Sequence, residues 1–207
     1  MTLPTKRAVL SERRHSEILG AARQVFARRG FDEASVDDIA RAAGLAKGTL
    51  YLYYRSKRDL YWAALRDGLL ALGEELERRV AAAQGIDAKI RAFVETKVRY
   101  FEEHRDFVRI YYAEFGNAVA HPCVPPQGFH DLYRQQMKVL TVALRAAVRQ
   151  GVVPPLSVEP AAGAIFDLTR GVITRRLLGW SDSRPEADVE SAVDLATRLL
   201  RPARRTR

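Results

Sequence analysis

A single cysteine in 207 residues excludes an intramolecular disulfide and fits a reducing compartment. No run of about 18 apolar residues occurs, so neither a transmembrane helix nor a membrane partner is expected. The first residues lack the apolar region of a signal peptide, which makes a cytoplasmic location the expectation. Also absent are G-x-x-x-x-G-K-[ST], G-x-G-x-x-G, H-E-x-x-H and G-x-S-x-G, the short signatures of nucleotide, metal and nucleophile chemistry. His121, Cys123 and His130 surround one proline-containing loop, but H-x-C with a distant histidine matches no closed zinc-site spacing. The chain is therefore read as no enzyme, with no metal and no cofactor. It has no internal repeat or low-complexity tract.

Positive charge is in excess, and it is unevenly placed. Of the net +9, residues 1–58 hold 12 Lys and Arg against 6 Asp and Glu, while residues 59–197 hold 17 against 19. The end, 198–207, has five arginines and no acid, and reads as a frayed, nonspecific tail. A basic excess placed on the first region, beside a nearly balanced middle, is the footprint of phosphate neutralisation.

Within that region the stretch Ser35–Leu60, SVDDIARAAGLAKGTLYLYYRSKRDL, reads as two short helices joined by a tight turn. Ser35 caps the first, Asp38 sits at the reciprocal capping-box position, and Val36, Ile39, Ala40 and Ala43 form an apolar face. Gly44 ends it. Lys47, Gly48 and Thr49 open the second helix, and Leu50 and Tyr54, four apart, face inward. Tyr51, Leu52, Tyr53 and Lys57 are left nearer the outer face or the helix end, which suits a polyanion. The bland alternative makes the aromatics core and the cations a solvated face. A glycine-terminated partner helix, a K-G-T start and three tyrosines in four positions argue against it together. Ahead of the motif, Met1–Leu10 reads as a mobile arm and Ser11–Arg29 as a helix with an Ile18, Leu19, Ala22, Val25, Phe26 stripe. Gly30 closes that helix and Phe31 plugs a small three-helix core. Lys6, Arg7, Arg13 and Arg14 either follow a DNA backbone or minor groove, or simply face solvent.

The run Ile18–Leu60 resembles the N-terminal domain of the TetR family of one-component bacterial transcriptional repressors. Two positions depart from the family pattern. Ala46 stands where a serine or threonine often caps the recognition helix, and Leu52 replaces a frequent histidine or aromatic, leaving only contact with a thymine methyl. With the docking mode retained, Lys47, Gly48, Thr49, Tyr51 and Leu52 are candidates for base or groove contacts. Ser35, Tyr53 and Lys57 are candidates for phosphates.

Beyond the motif the pattern stays helical, over about 58–83, 87–103, 105–116, 128–150, 159–179 and 185–201, with Asp87 and Ser183 as N-caps and Glu186 completing a second capping box. The expectation is an all-α protein with a three-helix domain at 11–58 and a second, roughly six-helix domain at 59–207. Nine helices is also what the resemblance implies. Ala162, Ile165, Val172 and Ile173, then Val189, Val193, Ala196 and Leu200, make apolar faces on the last two helices. They suit a four-helix bundle between two copies, as the resemblance also implies, or burial within one chain. A homodimer presents two reading helices about 34 Å apart, which implies a palindromic double-stranded operator.

The middle helices are rich in aromatics. Phe93, Phe101, Phe107 and Tyr111, with Phe115, Tyr133, Met137 and Phe166, are read as core and also as candidate walls of a small-molecule pocket, which the resemblance implies. Lys97, Arg105, Arg109 and Arg170 lie near that lining and outnumber Glu114 and Asp167, favouring an acyl or other anionic lipophile over a cation as effector. Two other readings stand beside a ligand-released repressor. One is a constitutive DNA binder whose aromatics are all core; the other is a helical binding protein that has lost sequence-specific DNA binding.

Overall fold

The computed structural model describes residues 6–120 and 129–201, which are all-α, without a strand among them. The helices are α1 (Lys6–Glu33), α2 (Val36–Ala42), α3 (Lys47–Tyr51), α4 (Lys57–Ala82), α5 (Ile86–Glu103), α6 (Arg105–Ala120), α7 (Phe129–Arg149), α8 (Val158–Leu177) and α9 (Pro185–Leu199). Contacts divide the chain into two compact units, one from residues up to 69 with 104–129, the other from 70–103 with 130 onward.

In the first unit, Ile18, Leu19, Ala22 and Phe26 of α1 are buried, as are Ile39 and Ala40 of α2 and Leu50 of α3. α1 packs against α2 and α6, and α2 against α3. The Phe26 ring meets Tyr61 edge-on at 4.9 Å, and Phe31, half-buried, stacks against Phe26 at 6.2 Å. Gly44 takes φ 65, a left-handed conformation that ends α2, and the Leu45 N–H reaches the Ala40 carbonyl at 2.8 Å. α6 joins this unit because its apolar face, Phe107, Val108, Ile110 and Tyr111, is buried there. Arg109 also donates to the Ala27 carbonyl at 3.4 Å, and Tyr61 Oη to Glu114 at 2.8 Å. A boundary at residue 58 therefore does not separate the compact units; periodicity shows that α6 has an apolar face but not what meets it.

In the second unit, α5 packs against α8 and α9, and α8 against α9. Arg176 of α8 holds this corner, bonding Glu102 at 2.7 Å and Asp188 at 2.8 Å. Three local expectations fail here and at the N-terminus. α1 already runs from Lys6, so only residues 1–5 of the expected arm lie outside the described residues. Asp87 falls inside the first turn of α5, because the preceding Gly85 carbonyl accepts the Lys89 N–H and takes the cap position. Ser183 lies one residue ahead of the α9 cap, Arg184, and its carbonyl accepts from Arg176 at 3.0 Å; Pro185 starts the helix instead.

Gly68 of α4 is required by close approach. A Cβ placed there would lie 2.4 Å from the buried Phe107 ring. Overpacking of this kind costs about 1–3 kcal/mol, against about 1 kcal/mol recovered from alanine's better helix propensity. Gly68→Ala should lower the urea midpoint, by up to about 2 kcal/mol in stability; a raised midpoint would mean that the ring yields freely.

Candidate functional site

The reading face is built from α2, the turn at Gly44 and α3. Ser35 caps α2: its Oγ accepts the Asp38 N–H at 3.1 Å and donates to Asp38 Oδ2 at 2.6 Å. That hydroxyl bond holds the Asp38 carboxyl below its ordinary range, opposed by partial burial and helped by Arg29 at 2.7 Å. α3 has five residues and Ala46 at its cap, with no side-chain cap bond. Leu50 is buried inside and Tyr54 closes the turn after it, whereas Tyr51 is 47% and Leu52 83% exposed. Lys47 and Gly48 are exposed, and Thr49 and Tyr53 are half-buried. Lys47 Nζ sits 2.6 Å from Asp37 Oδ2, which raises its pKa above the ordinary lysine value.

His15 of α1 packs against Tyr53 at 5.4 Å and Tyr54 at 5.3 Å. Burial pushes the Tyr54 hydroxyl up to about 12. Arg13 and Arg14 each bond Glu17 at 3.1 Å; of Lys6 and Arg7 only the helical backbone is described.

Lys57 does something the sequence did not suggest. Its ammonium donates to the Asp32 and Ala34 carbonyls, both at 3.0 Å, and lies 4.6 Å from the Phe31 ring centroid. It ties down the segment between Gly30, where α1 breaks, and α2. Arg55 and Arg58 flank it and are exposed.

Residues 18–64 match the family model for bacterial regulatory proteins of the tetR family. Residues 18–64 are thus a DNA-binding domain of the tetR type. It is 28% identical to the HTH-type transcriptional regulator TtgR of Pseudomonas putida over 90% of each chain. The TetR family transcriptional regulator PfmR from Thermus thermophilus shares 25% identity with a TM-score of 0.68, covering 98% of this chain and 100% of that one. The transcriptional regulator FadR from Bacillus subtilis, solved in complex with stearoyl-CoA, shares the fold at 19% identity and TM-score 0.73, covering 88% and 97%. These relatives are transcriptional regulators, not enzymes. No helix among the described residues is long and apolar enough to cross a membrane.

The aromatics expected to line one pocket fall in both compact units. Phe107 and Tyr111 belong to the first, 6.0 Å apart; the Phe115 side chain lies outside the described residues, as do His121 and Cys123. Phe93, Phe101, Tyr133, Met137 and Phe166 belong to the second. There Phe166 meets Tyr133 at 4.7 Å and Phe93 at 6.1 Å, while Phe101 meets Tyr100 at 6.2 Å. A cavity of about 710 Å³ lies elsewhere in that unit, between the end of α4, the start of α5 and α7, lined by Val80, Lys89, Arg134, Lys138 and Val142 among others. None of the eight expected residues lines it.

The Phe93–Phe166–Tyr133 cluster encloses a lysine. Lys97 is 2% exposed, its Nζ 3.7 Å from the Phe166 ring centroid and 3.2 Å from Oε1 of the buried Gln136. Gln136 was missed, although it falls on the stripe Tyr133, Gln136, Leu140, Leu144 at helical spacing.

The eight apolar residues expected on a dimer face are all buried within the single chain, from Ala162 at 0% to Val189 at 6%. They cement α5, α8 and α9 to one another, because an apolar stripe fills the nearest helix first. The exposed apolar residues are others: Leu177, Leu178, Trp180, Leu195 and Leu199. Leu195 and Leu199 share one face of α9 at i,i+4 spacing.

Two outcomes follow. Lys57→Met should destabilise the protein by about 1–3 kcal/mol, from the lost charged hydrogen bonds, yet leave the salt slope of DNA binding unchanged; a slope flatter by about one would return Lys57 to phosphate contact. Burial, and secondarily Arg170, lowers the Lys97 pKa to about 7. Between about pH 7 and the ordinary lysine range the unfolded chain then binds the extra proton, so stability rises with pH across that window and the cost of burial is full below it. Urea midpoints of the native protein should rise relative to Lys97→Met from pH 7 to pH 10, and parallel curves would refute the shift.

Proposed function

We propose that this chain is a TetR-family repressor that holds a palindromic operator as a homodimer and leaves it when a small lipophilic effector binds the second unit. The observation that carries this is the exposed face of α3, where Tyr51 and Leu52 protrude beside Thr49, Gly48 and Lys47 from a domain with net charge +6. Thr49, Tyr51 and Leu52 read base edges, Leu52 by apolar contact. Ser35 and Tyr53 border the phosphates, and Arg55 and Arg58 take the backbone role from Lys57. The dimer surface is assigned to the exposed residues at the end of α8 and on α9. An effector that binds two DNA-affinity states unequally shifts their balance. The stearoyl-CoA in the FadR structure supports an acyl or other anionic lipophile.

Selection of the purified protein from a randomised duplex pool at near-physiological salt should enrich a palindrome, with half-sites about one turn apart. An unstructured pool would remove sequence reading. Thr49→Ala should change the preferred half-site rather than weaken all sequences alike. Leu195→Glu with Leu199→Glu should sediment as a monomer that binds operator far more weakly, whereas a dimer would place the interface elsewhere.

A further inference from the structure

Lys97 lies on the inner face of α5, one helical turn beyond Phe93 and Val94 and one before Phe101, all buried. Burying an ammonium is expensive unless a partner compensates it. Among the described residues no carboxylate pairs with it. Its hydrogen bond goes to the neutral Gln136 and its remaining contacts are ring faces, Phe166 at 3.7 Å and Phe93 at 5.6 Å. The nearby charge is of the same sign: Arg170 of α8, which bonds Asp167 at 2.9 Å and disfavours the lysine's charged form. Methionine fills a similar volume at no such cost, so stability alone does not account for lysine here. Among the described residues Lys97 itself has no carboxylate partner, and Asp167, which acts on Tyr133, is taken by Arg170.

From this juxtaposition we propose that Lys97 and Gln136 form a binding site for the carboxylate head of an apolar-bodied monoanion, whose body lies against Phe93, Tyr133 and Phe166. This rests on the effector-responsive reading above and names its ligand class. The chemistry fits atom by atom. A carboxylate oxygen accepts from Nζ, the Gln136 amide can turn its NH₂ to the other oxygen, and the rings supply the low dielectric that strengthens the pair. Tyr133 and Arg170, at the border of the cluster, are only partly buried, so of its members these two lie nearest solvent. A ligand carrying several phosphates brings more negative charge than one buried ammonium matches, so its head group is not the one this site reads.

The test is calorimetric titration of the full-length protein, without DNA, using dodecanoate and 2-naphthoate and their neutral counterparts dodecanol and 2-naphthalenemethanol, for the native chain and Lys97→Met. At least one carboxylate should bind the native protein ten-fold or more tighter than its alcohol. In Lys97→Met that preference should vanish while the alcohol binds as well as before, and the unliganded variant should melt no lower than the native chain. Carboxylate affinity within two-fold in the variant, equal binding of acid and alcohol to the native protein, or no binding of either acid overturns the proposal. Retained alcohol binding separates loss of the charge from a damaged fold. Operator affinity, measured separately with the bound acid present, reports on the repressor reading. A carboxylate that binds through Lys97 without loosening the operator would sink effector release and leave the site standing.

Discussion

Five residues make little more than one helical turn, and a helix that short has no stability of its own in water. Everything the reading face does depends on how α3 is held from outside. Leu50 is buried beneath it, Tyr54 anchors the residues that follow, and Gly44 sets the angle at which α3 leaves α2. Ser35 fixes the start of α2, and Arg29 ties Asp38 of α2 back to α1. Because Ala46 contributes no cap, these tertiary contacts replace the local signal that usually starts such a helix.

Much of this was legible in the sequence. Ser35, Gly44, Leu50 and Tyr54 have local jobs, and local jobs leave local signatures: a capping residue, a left-handed glycine, an i,i+4 inward pair. The long helices were legible for the same reason, and most of their ends lie within two residues of those expected. Lys57 was not. Its partners, the carbonyls of Asp32 and Ala34, are more than twenty positions away, and a lysine beside a reading helix has the same one-letter appearance whether it meets a phosphate or a carbonyl. The α8 and α9 stripes were seen as apolar, but periodicity left open whether they meet a second copy or their own chain, since it identifies a face and not its partner; in this structure they are buried within the chain.

Lys97 shows the opposite relation between stability and use. A core that sets an ammonium against two phenylalanine rings gives up stability that an apolar side chain would keep, and does so on the helix packed against both α8 and α9. Local departures from good packing concentrate where a protein has to respond to something. In the second unit the departure is one buried lysine amine facing a neutral amide.

The ion pair between Lys47 and Asp37 makes the reading face its own competitor. At 2.6 Å, Asp37 already occupies the lysine that the proposed reading turns toward the groove. A duplex gains that cation only by displacing the aspartate, which then faces a polyanion. Both side chains are half exposed, so solvent screens the pair, and the competition trims rather than cancels the pull of the domain's charge on a duplex.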